Sequence, residues 1–259
     1  MRFKRIDLIG TLLLATILTG CAEPEQLLPS SHQEMKWIDD TTADGGTTSD
    51  AIVKRIKVEA FPQDATTFEE GVRRHLKFQF KDGTSAHPTA SDLWSSAVVG
   101  DHATATLHYP KGANRLAVLT YQRQAETWIL KDILLEDIKP IKATSAVSGL
   151  KLPFSTFQAI ESSTISTEGS KMMWLFHTKT DAVVITVIPK QDVAASDWKT
   201  STLADGRTAY MQENNQGANL YYADGKQLVL LSGNLSLSQL KELAVTVAPV
   251  SSDSFPYSK

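Results

Sequence analysis

Short apolar runs broken by turn residues constrain this chain more than any other feature. Ile52, Ile56 and Val58 lie in a β-capable segment that ends near Pro62. Leu76, Phe78 and Phe80 alternate and run into Lys81-Asp82-Gly83, a turn signal. Residues 94–99 lead through Gly100-Asp101 into 102–109, and residues 116–121 lead through a polar turn at 123–126 into 127–135. Connections this short join antiparallel neighbours. Between the first two runs, Thr67-x-x-Glu70 has the form of a capping box, and Phe68, Val72, His75 and Leu76 follow at helical spacing. Gly71 lowers the helix propensity of that segment.

The pattern repeats further along. Residues 172–176, 183–188, 207–212, 220–223 and 227–232 are strand candidates, with Asp205-Gly206 and Ala223-Asp224-Gly225 as hairpin turns. Ser236 then caps a helix with Gln239 at its third position, and Leu237, Leu240, Leu243 and Ala244 form its apolar stripe before Pro249. A chain of 259 residues holds one large domain or two small ones. The expected fold class is α+β: two small modules, 51–138 and 154–250, each an antiparallel sheet with a packed helix. Residues 139–153, with Pro140, Pro153 and many small residues, read as a linker, and 251–259 as a tail.

The N-terminus has a different character. Arg2, Lys4 and Arg5 precede an apolar run from Leu8 to Leu18. A helix over that run rises about 16 Å, half of a ~30 Å hydrocarbon core, so it is too short for a spanning anchor and reads as an export signal over 1–20. Residues 22–50 are polar, carry Pro24, Pro29 and Gly45-Gly46, and read with Cys21 as a flexible tether. Cys21 is the one cysteine in the chain, which excludes a disulfide framework and a cysteine-based zinc cluster. Loss of 1–20 removes Arg2, Lys4, Arg5 and Asp7, taking the formal charge from −3 to −5. No basic stripe occurs, so nucleic acid is not an expected partner.

Three stretches resemble known families. Leu18-Thr19-Gly20-Cys21 resembles the lipobox of bacterial lipoproteins. The resemblance implies cleavage between Gly20 and Cys21 and a diacylglycerol on the Cys21 sulfur. It implies a membrane partner reached through acyl chains (diacylglycerol and palmitate) and a place on the extracytoplasmic face of the cell envelope. Gly100-Asp101-His102-Ala103 and Trp128-Ile129-Leu130-Lys131-Asp132-Ile133 resemble the last strands of cystatin-like or NTF2-like modules. Gly206-Arg207-Thr208-Ala209-Tyr210, Tyr221-Tyr222-x-Asp224-Gly225 and the 235–244 segment are similar to a domain of unknown function found in envelope proteins of spore-forming bacteria. Neither of the last two brings a catalytic set.

Candidate chemistry is sparse. No Gly-x-Ser-x-Gly occurs, and Ser-x-x-Lys appears at Ser148, Ser196 and Ser238 without its companion words. His102 and His108 share a strand face but stand about 20 Å apart, too far for one metal ion. Glu69-Glu70 suit the first turn of a helix, and Glu136-Asp137 read as solvated. No phosphate-binding loop or dinucleotide fingerprint is present, and no cofactor, metal site or catalytic residue is expected. Trp94, Trp128 and Trp174 read as core. Trp198, in the polar stretch 191–202, reads as an exposed loop residue available to a partner. The expected role is non-enzymatic: binding, scaffolding or sensing toward an envelope protein or ligand. A carrier of an apolar ligand or lipid and an envelope hydrolase are the alternatives.

Overall fold

The computed structural model describes residues 36–39, 52–110, 114–138, 149–154, 156–166, 169–193 and 198–257. Residues 1–32 and 33–259 are separate units. The cleavage site, Gly20, Cys21, most of 21–50 and 139–148 lie outside the described residues.

The α+β expectation is corrected: the second unit is mostly β. Among the described residues the helices are α1 (Phe68–His75) and α2 (Leu237–Thr246), against fifteen strands in three antiparallel sheets. The first sheet orders β1 (Lys36–Asp39), β2 (Val53–Val58), β3 (Leu76–Phe80) and β4 (Ser85–Ala86). The second orders β5 (Leu93–Val99), β6 (His102–His108), β7 (Arg115–Gln124) and β8 (Thr127–Asp137). The third contains β9 (Gln158–Ser166), β10 (Gly169–His177), β11 (Ala182–Pro189), β12 (Lys199–Thr202), β13 (Thr208–Asn214), β14 (Gly217–Asp224) and β15 (Gln227–Gly233), in the order β12-β13-β14-β15-β11-β10-β9.

The excess of strand comes from segments with no apolar alternation to announce them. β1 and β4 are short, β12 reads KTST, and β9 reads QAIESSTIS. Their pairing is set by neighbours, as sheet propensity is largely context. β1 lies within the expected tether, where Lys36–Asp39 pair with Val58–Arg55 of β2. The strand at 76–80 also leaves the expected meander: it pairs with β2 and β4 rather than with β5.

Alternation along the strands layers the sheets. Ile56, Phe78 and Phe80 of the first sheet meet Ala105, Leu119 and Tyr121 of the second in one core, closed by Val72 of α1. The opposite face of the second sheet presents Leu116, Val118, Ala97 and Val99 to Leu175, Val184, Leu228 and Leu230 of the third. The far face of the third sheet packs Ile185, Leu220, Tyr222 and Leu231 against Leu240, Leu243 and Ala244 of α2. The second and third sheets are thus both covered on two faces. Leu150, at the end of the expected linker, already belongs to this last core, and the Lys151 amide donates to Thr246 Oγ1 at 2.9 Å.

Both helices are fixed by local chemistry. Thr67 Oγ1 accepts the Glu70 amide at 3.1 Å, while Glu70 reaches back to the amide and hydroxyl of Thr66 rather than to Thr67. Gly71 sits mid-helix because a Cβ there would stand 2.2 Å from the Phe61 ring. Ser236 and Gln239 form the reciprocal capping box of α2. Its other end is held by Arg207, which lies 4.2 Å over the Tyr222 ring and donates to the Ala244 carbonyl at 2.7 Å. A cation suits that negative helix end. Tyr221-Tyr222 and Gly206-Arg207 therefore act structurally.

The contact between the second and third sheets has a polar centre. Asn219 of β14 donates to the Ser96 carbonyl of β5 at 2.5 Å and accepts from Ser232 Oγ at 2.7 Å. Thr104 and Thr186 are also buried there, and their hydroxyls have no partner among the described residues. The two kinds of group respond oppositely to replacement. Asn219→Ala is expected to lower the unfolding free energy by about 2–3 kcal/mol, with an unchanged denaturant slope. Thr186→Val, which removes an unpaired hydroxyl at constant shape, is expected to raise it by up to about 1 kcal/mol. Urea titration of both variants checks the pair.

Candidate functional site

Beside this polar centre both halves contribute to a cleft of about 490 Å³. Phe68 and Glu69 enter from the first turn of α1, and Ser96 and Val98 from β5. Gly100 and Asp101 come from the β5–β6 turn, and Arg123 from the end of β7. The third sheet contributes Asp192 and Val193 after β11, Trp198 ahead of β12, and Gln212 of β13. A second cavity, about 250 Å³, shares Phe68 and Arg123 and continues past Gln63, Thr66, Thr67 and Glu126.

Gln191 holds the two halves in register at the cleft edge. Its amide nitrogen donates to the Val99 carbonyl at 2.8 Å and lies 3.1 Å from His102 Nδ1; its amide oxygen accepts the Asp101 N–H at 3.1 Å. This approach needs Gly100, whose φ is +57° and whose Cβ would fall 2.7 Å from the Gln191 amide. The β5–β6 turn was legible in the sequence; its partner 90 residues away was not.

Aromatic packing fixes the walls. Phe68 meets Tyr121 and Trp128 edge-on, each at 5.3 Å. Arg123 is exposed and lies 5.2 Å over the Trp128 ring. Trp198 departs from the expected exposed loop residue: it is only 8% exposed and meets Tyr221 edge-on at 4.7 Å. Tyr221 in turn stacks on Tyr210 at 4.8 Å. Trp198 is a fixed wall of the cleft. Its polar sequence context concealed this burial, since its neighbours in the fold are remote in the chain. Trp128 and Trp174 are core as expected, and Trp94 stacks on His108 at 5.3 Å.

The acids separate by role. Ser96 Oγ donates to Glu69 Oε1 at 2.5 Å at the cleft, while Glu70 turns away to Thr66 and to Arg74 at 3.1 Å. The Arg74 guanidinium and the Thr66 groups hold Glu70 below the usual carboxylate range, with the Thr66 hydroxyl the largest cause. Glu136 and Asp137 are bonded rather than merely solvated: Glu136 accepts from Gln158, and Asp137 pairs with Arg115 at 2.6 Å. In the cleft, the Asp101 and Asp192 carboxylates are exposed and have no side-chain partner among the described residues.

Nothing in the lining assembles a nucleophile with a base. No histidine, lysine or cysteine lines the cleft among the described residues. Ser96 faces a carboxylate, not an imidazole, and is 2% exposed. The Ser-x-x-Lys residue Ser238 meets Ser236, while Lys241 reaches Ser201 at 3.3 Å; Ser148 and Ser196 lie outside the described residues. No grouping of three or more His, Cys, Asp or Glu able to hold a metal occurs among the described residues. No helix there is long and apolar enough to cross a membrane. No family model matches the chain, and no curated protein matches it.

The histidines give a pH signature. His75 is fully buried between the Phe61 and Tyr121 rings, and burial pushes its pKa down to about 4. Burial lowers His108 and His177 as well. An unfolded histidine titrates near ~6.5, so between that value and the native one the unfolded chain holds more protons. Stability is therefore expected to fall as pH drops through that window, by up to about 3 kcal/mol from His75 alone. His75→Phe should flatten this part of the profile, as read by chemical denaturation at successive pH values.

Proposed function

We propose that this chain is a lipid-anchored protein on the extracytoplasmic face of a bacterial membrane, and that its folded part binds a polar ligand or partner in the cleft between its halves without transforming it. The observation that carries the anchor is the position of Cys21. The one cysteine of the chain closes Leu18-Thr19-Gly20-Cys21, behind an apolar run too short to span. Two or more acyl chains, at about 0.8 kcal/mol per buried methylene, hold a protein firmly where one does not.

The binding role rests on the cleft. Its volume falls within the ~300–1,000 Å³ range of small-ligand sites, and fixed side chains from both halves form its walls. Glu69, Asp101, Arg123 and Asp192 line it, so an apolar ligand or lipid would strand charges there. Among the described residues the lining sets no imidazole or amine beside Ser96, which favours binding over hydrolysis.

Cys21→Ser is expected to move the protein out of the membrane fraction and to leave residues 1–20 attached, checked by fractionation and intact mass. Normal processing with retention at the membrane would overturn the anchor.

A further inference from the structure

We propose that the cleft receives a lysine or arginine side chain from an extended peptide segment of a partner protein. This deepens the binding role above and rests on it. The charges of the lining decide the sign. Among the described residues, Glu69, Asp101 and Asp192 set three carboxylates against the one guanidinium of Arg123. Glu69 is held by Ser96, whereas Asp101 and Asp192 are exposed and make no ion pair among the described residues. Carboxylates already neutralised by internal cations would offer a ligand little; these two keep their full capacity for charge-assisted hydrogen bonds.

The walls decide the kind of cation. Phe68, Val98 and Trp198 give the cleft an apolar lining of the sort that covers the methylene stem of a long basic side chain while its head stays among polar groups. The Phe68 and Trp198 rings are locked by Tyr121, Trp128 and Tyr221, so little side-chain entropy is lost on contact. Aromatic faces also attract a cation directly. Trp198 is more than nine-tenths buried, so its place in this wall is fixed.

The adjoining cavity makes the ligand a chain rather than a free amine. It shares Phe68 and Arg123 with the cleft, and it is lined by Gln63, Thr66, Thr67 and Thr127, donors and acceptors suited to a peptide backbone. Arg123 lines both and repels a second cation there, which leaves the basic head to the Asp101 and Asp192 side.

The test uses the full chain in detergent micelles and titrates it calorimetrically with end-capped tetralysine, tetraglutamate and tetra-alanine. Tetralysine is expected to bind, to weaken as salt is raised, and to weaken about tenfold or more on Asp101→Asn/Asp192→Asn. Both residues are exposed, so the variant should keep its fold, as read by circular dichroism. Trp198→Phe should weaken tetralysine as well. Equal binding of tetraglutamate or tetra-alanine would overturn the cationic assignment while leaving a binding cleft. Absence of binding by all three would overturn the peptide proposal, and an unchanged affinity in the double variant would remove the carboxylates from it. The anchor stands or falls separately, on the Cys21→Ser fractionation.

Discussion

The Asn219 amide is the contact on which the arrangement of the molecule depends. It reaches from β14 to the Ser96 carbonyl of β5 and takes the Ser232 hydroxyl in return. A buried amide tolerates few placements, because each unmet donor or acceptor costs free energy comparable to a lost hydrogen bond. Apolar packing between Ala97, Val99, Leu228 and Leu230 supplies adhesion, but adhesion is non-directional. The amide supplies register. It also ties the cleft to the sheet contact, since the residue whose carbonyl it grips is the one whose hydroxyl holds Glu69.

Much of the secondary structure was legible and the assembly was not. Alternation at Leu76, Phe78 and Phe80, the turns at Gly83, Gly206 and Gly225, and the Ser236–Gln239 cap are local signals, and the structure follows each. β9 and β12 carry polar sequences whose pairing is dictated by neighbours, so nothing local marked them. The fold class failed for that reason, together with an over-weighting of two short helices. Continuous burial on both faces of β11, AVVITVIP, was a further signal: a sheet covered on one side alternates, and this one does not.

The candidate site was less legible still. The sequence marks Trp198, but as an exposed residue, and accounts for Glu69 by helix electrostatics alone. Both gain their roles from partners distant in sequence: Trp198 from Tyr221, Glu69 from Ser96. Arg123 at the end of β7 and Gln191 after β11 fall in polar stretches that read as solvent-facing connections. A side chain whose function is to bridge two sheets leaves no periodic trace, because its spacing is fixed in space and not along the chain.

The middle sheet, β5 to β8, has no uncovered face: the first sheet lies on one side and the third on the other. Substitutions along its length must satisfy two cores at once, whereas the exposed Asp101 and Arg123 at its strand ends lie outside both. Diversity in what such a molecule grips would therefore accumulate at those tips, leaving the stacked body as an invariant chassis.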